Sequence, residues 1–105
     1  MRDVLLTAMD RVHAAIADRR GPDVIAALLD DLARLSAEHF ATEERVLRRY
    51  GYTHLDARSA RHTRLLDQAA ALQQRLRSGE RKGPHVSRFL HSLSRQAGYQ
   101  DRPAA

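Results

Sequence analysis

The chain has 105 residues, a formal net charge of +5, no cysteine and no tryptophan. That length suits one domain with a modest core of leucine, valine, isoleucine and alanine. The lack of cysteine excludes disulfides, iron–sulfur ligation and zinc-thiolate sites and fits a cytoplasmic chain. The longest apolar runs, VLL and VIAALL, fall far short of a membrane span, and Val4 to Met9 is too short and too soon charged for a signal peptide. All but one of the basic residues are arginine. They are spread along every segment without alternating aromatics, which reads as solvated helix faces and disfavours nucleic acid as a partner.

The first segment, over 2–19, places Leu5, Met9, Val12 and Ile16 three and four residues apart, which predicts an amphipathic helix with Arg2 at the start of its stripe. Gly21-Pro22 stops that helix and starts the next, because proline is tolerated in a first helical turn and glycine suits a C-terminal cap. The second helix, over 22–50, carries a stripe of Val24, Leu28, Leu32, Leu35, His39 and Val46, with Glu43 beside His39. Gly51 ends it. Thr53 with Asp56 three residues later resembles a capping box that opens a third helix over 53–78. Its face holds Leu55, Leu65, Leu66, Ala69, Leu72 and Leu76, and Arg58 and His62 fall on the same face. Gly83-Pro84 is the third break. The fourth helix, over 84–97, presents Val86, Phe89, Leu90, Leu93 and Ala97.

No segment alternates with a period of two, so the sequence predicts an all-α domain over 1–98 and a frayed tail over 99–105. Short loops make sequential helices antiparallel, giving an up-down-up-down four-helix bundle.

His39, Glu43, Arg58 and His62 interrupt apolar stripes at similar heights on neighbouring helices. An inward carboxylate is costly unless a cation or several donors meet it, so something must neutralise Glu43. A histidine and a glutamate at i and i+4, with a second imidazole from the facing helix, can share a metal. The pair also occurs as an ordinary surface pair or with a satisfied core histidine.

The stretch HFATEERVLRRYGYTHLDARSARHTRLL, residues 39–66, resembles the hemerythrin family. The family pattern is His-Phe-x-x-Glu-Glu, an apolar pair, Tyr-Gly-Tyr-Pro and then His-x-x-x-His. A looser likeness runs from residue 2 to about 100, with Asp10 where the family often has asparagine. The resemblance implies a non-haem di-iron site of five histidines and two bridging carboxylates that binds dioxygen, in a protein of oxygen carriage, sensing or iron handling. It also implies a segment ahead of Arg2. Residue by residue, His39 matches an imidazole ligand of one iron, Glu43 a bridging carboxylate and His62 an imidazole ligand of the other.

The remaining ligand positions hold Arg2, Arg58, Leu93 and Gly98, and Thr53 replaces the usual proline. Three ligands split between two irons cannot hold an ordinary di-iron centre. Two expectations follow: a reduced single-metal site on His39, Glu43 and His62 completed by water, or a metal-free core in which Arg58 pairs with Glu43. Arg2 is a second candidate for that pairing. His13, His54, His85, His91 and Asp101 are expected in surface or packing roles.

No Ser-His-Asp logic, glycine-rich phosphate loop or nucleophilic cysteine is present, so an enzyme is the least favoured class. The competing classes are an iron-binding, oxygen-responsive bundle, a metal-free bundle acting on a protein partner or as a homo-oligomer, and a nucleic-acid binder using Arg45, Arg48, Arg49, Arg61 and Arg64.

Overall fold

The computed structural model describes residues 2–98, and the side chains of residues 4–98. The expected frayed tail and Asp101 lie outside the described residues, as does the side chain of Arg2. Four helices follow one another: α1 (Arg2–Ala17), α2 (Pro22–Arg49), α3 (Leu55–Arg77) and α4 (Gly83–Gln96). The described residues form an all-α four-helix fold with no strand. Each helix packs on the next in sequence, and α4 closes against α1. Asp30, early in α2, meets Arg77 late in α3, whereas Glu43, late in α2, meets Arg58 early in α3. These two helices therefore run antiparallel.

The core is mainly aliphatic. Val12, Leu29, Leu32, Val86 and Leu93 have no exposed surface, and each such side chain contributes about 1.5–3 kcal/mol through burial. No helix among the described residues is long and apolar enough to cross a membrane.

Three details depart from the sequence reading. The buried line of α2 is Ile25, Ala26, Leu29, Leu32, Ser36 and Phe40, rotated by about one residue from the expected stripe. Val46 is exposed and His39 stands at the edge of the packed face. The reason is that α2 packs on both α1 and α3, so it is apolar over two adjacent stripes.

The start of α3 also differs. Its N-cap is His54, which makes no side-chain cap bond, so Thr53 and Asp56 form no capping box. Finally, α1 ends at Ala17, two residues short of the expected bound, and Arg19 rather than Gly21 makes its closing turn. Arg19 takes the left-handed φ of 55°, and Arg20 N–H bonds to Ala15 O at 2.9 Å. Gly21 is instead the extended N-cap of α2, ahead of Pro22.

The end of α2 is as expected and matters for the site. Gly51 adopts φ +69°, the left-handed conformation that side chains oppose. Its N–H bonds to Arg48 O at 3.1 Å, and the Tyr52 N–H bonds to Leu47 O at 3.0 Å. This double closure satisfies two terminal carbonyls of α2. It also turns the chain so that Tyr52 stands beside the first turn of α3.

Candidate functional site

Late α2 and early α3 bring together a compact group of charged and aromatic side chains. Arg58 and His62 lie four residues apart on α3 and so share one face. Glu43 and Glu44 are consecutive on α2, and each carboxylate receives one of them. Arg58 donates from Nη1 to Glu43 Oε1 at 2.6 Å, a charge-assisted bond at the short end of its range. His62 Nδ1 lies 2.7 Å from Glu44 Oε2. An ionised carboxylate only accepts, so the His62 proton on that bond sits on Nδ1.

His62 is almost wholly buried, and its ring stacks on Phe40 with centroids 3.9 Å apart and planes 2° apart. Its Nε2 has no hydrogen-bond partner and lies 3.8 Å from Glu43 Oε1. His39 Nε2, also buried without a partner, lies 3.9 Å from Glu43 Oε2. Both distances are too long for a hydrogen bond. The outer side of His39 borders a cavity of about 410 Å³ shared with Val4, Leu5, Leu35 and Thr42.

The electrostatics follow from these contacts. The Glu43 carboxylate, with Tyr52 adding to it, holds the Arg58 guanidinium above its ordinary range, so it stays charged. The Tyr52 ring lies 5.6 Å from the Arg58 guanidinium carbon, and its π-face adds a weak attraction. The hydrogen bond from His62 holds Glu44 below its ordinary value of 4.5, Ser59 and Arg48 add to this, and partial burial opposes it.

A carboxylate depressed by folding stabilises the fold above its unfolded pKa. That contribution fades as the pH falls through the folded value. Stability should therefore drop below about pH 4.5 partly through Glu44. Urea midpoints measured from neutral to acid pH check this: Glu44→Gln should lower the neutral value and flatten the acid slope.

The three sequence-nominated metal residues, His39, Glu43 and His62, do converge, with Glu43 between the two imidazoles. Arg58 bonds to the same carboxylate, on the Oε1 oxygen that faces His62. Among the described residues no group of three histidine, cysteine or acidic side chains is arranged to hold a metal ion. The di-iron centre implied by the family resemblance does not fit here. A guanidinium bonds to the carboxylate expected to bridge, and Leu93, at a ligand position of α4, is a fully buried core residue.

His13, His54, His85 and His91 are exposed, as expected. Sequence reasoning missed Glu44, Phe40 and Tyr52. Phe40 and Glu44 lie on the i, i+4 continuation of Ile25, Leu29, Leu32 and Ser36, a line the sequence offers beside the one chosen.

No family model, curated protein or solved structure matches this chain.

Proposed function

We propose that this protein is a hemerythrin-like bundle in which arginine supplies the positive charge that a metal would supply, and that it works as a metal-free interaction or regulatory module. The observation that carries this reading is the 2.6 Å bond from Arg58 to Glu43. A partly buried carboxylate needs a counter-charge, and a guanidinium cannot be deprotonated to make way for a metal. The rest of the group supports the same reading, because Glu44 accepts the hydrogen bond from His62 Nδ1–H and Phe40 covers its ring.

A second reading rests on a different observation. His39 Nε2 and His62 Nε2 are buried, unpartnered and both directed toward Glu43. They would be the donors of a single-metal site, which would need Glu43 to be shared with or released by Arg58. Iron held there would open the route to dioxygen.

Linkage separates the two, since a ligand that binds only the folded state raises its stability with concentration. The unfolding midpoint should be unchanged by excess ferrous iron under anaerobic conditions. A midpoint that climbs with iron in the native chain, but not in His39→Ala, would favour the single-metal reading.

A further inference from the structure

The positive charge of the chain is not spread evenly once net charge is considered. Between residues 68 and 98 there are six arginines and lysines against the single acidic Glu80, an excess of five that equals the net charge of the whole chain. Several of these residues border one groove of about 530 Å³ between α3 and α4. Arg75 on α3, Lys82 at the N-cap of α4, and His85 and Arg88 on α4 form its rims. Half-buried Leu72 and buried Phe89 form its floor. No acidic side chain lines it.

The lining on α3 falls at positions 68, 71, 72 and 75, and that on α4 at 85, 88 and 89. Both sets follow the i, i+3, i+4 spacing with which helices receive the side chains of a third helix. The start of α4 adds to the field, having no acidic residue in its first turn and no side-chain cap.

The geometry points to this groove as the docking site for an acidic amphipathic helix of a protein partner, which places apolar side chains over Leu72 and Phe89 and carboxylates against Arg75, His85 and Arg88. This deepens the interaction-module reading and rests on it. An apolar floor between two basic rims favours such a helix over nucleic acid, which needs basic rims but no floor. Among the described residues, the exposed tyrosines that could stack on bases, Tyr50 and Tyr52, lie beyond the opposite end of α3.

Glu80 already occupies part of the charge. Its carboxylate lies 3.4 Å from Arg75 Nη1 and 3.5 Å from Lys82 Nζ. It holds both cations at the groove and must yield one when a partner carboxylate arrives.

The test measures binding of a short helical peptide of leucine, alanine and glutamate to the full chain, beside its lysine twin and a mixed-sequence DNA duplex. The acidic peptide should bind, weaken as salt rises, and bind roughly tenfold more weakly to Arg75→Glu/Arg88→Glu. Arg88→Glu alone, at an exposed position, should lose part of that affinity without loss of helicity. Glu80→Gln should bind more tightly, and Arg11→Glu, on α1, should match the native chain. Failure of the acidic peptide to bind, or equal binding to the Arg75 and Arg88 variants, overturns the proposal. DNA binding that exceeds the peptide's and depends on the same arginines overturns it in favour of nucleic acid. Iron-dependent stability of the same preparation judges the metal-free reading separately, because the groove and the Glu43 group share no residue.

Discussion

Replacing Phe40 by alanine should cost about 4 kcal/mol, the middle of the range for a buried aromatic in a packed core. Phe40 is almost fully buried, and its ring is the surface on which His62 stacks. Its removal opens a cavity and uncovers an imidazole that has an unpartnered nitrogen. A chain of this length has a total stability of roughly 5–15 kcal/mol, so the variant should be close to unfolding at ambient temperature. Urea unfolding of Phe40→Ala beside Tyr50→Ala makes the comparison, because Tyr50 is 81% exposed and its loss should change stability by no more than about 0.5 kcal/mol. The milder Phe40→Leu gives a local readout. The ring-current shift of the His62 protons in the native protein should vanish while the helices persist. A loss of less than about 1 kcal/mol in Phe40→Ala would mean that the stack does not anchor the site.

The second large effect concerns the ion pair. Arg58→Ala should cost about 2 kcal/mol, as expected for a hydrogen bond between charged groups that are partly shielded. The exposures of 29% for Arg58 and 24% for Glu43 keep the cost below that of a wholly buried pair. Much of it comes from the carboxylate left behind. In a Glu43→Gln background the same Arg58→Ala change should therefore cost far less, giving a coupling energy of about 1–2 kcal/mol in a double-mutant cycle. Additive effects of the two substitutions would mean that Glu43 is neutralised by something other than Arg58.

Much of the fold is legible along the chain. The Gly-Pro steps and Gly51 fall at the breaks, and the apolar faces of α3 and α4 carry the residues that a 3.6-residue period assigns to them. The pairing of Arg58 with Glu43 is legible as well, because a charge on an apolar face demands a partner and these two share a height. The phase of α2 is not. Val24, Leu28 and Leu35 form one apolar line and Ile25, Leu29, Leu32 and Phe40 another, and periodicity cannot rank them. Contact with both α1 and α3 uses both lines and centres burial on the second, which moves His39 to the edge and brings Glu44 to His62. The residue that caps α1 is hidden for a related reason. A left-handed arginine is rare, so Gly21 two residues later is the stronger local signal, yet the chain closes at Arg19.

These residues form two charge pairs between α2 and α3. Arg58 answers Glu43, Glu44 answers His62, and Phe40 and Tyr52 cover the two donors. The measurement that tests this most directly is iron per folded protein after anaerobic loading with ferrous iron and desalting. The account predicts essentially no retained iron in a fully helical protein. Retention of one iron per chain, lost on replacing His39 or Glu43, would contradict it and show that Arg58 gives way to a metal.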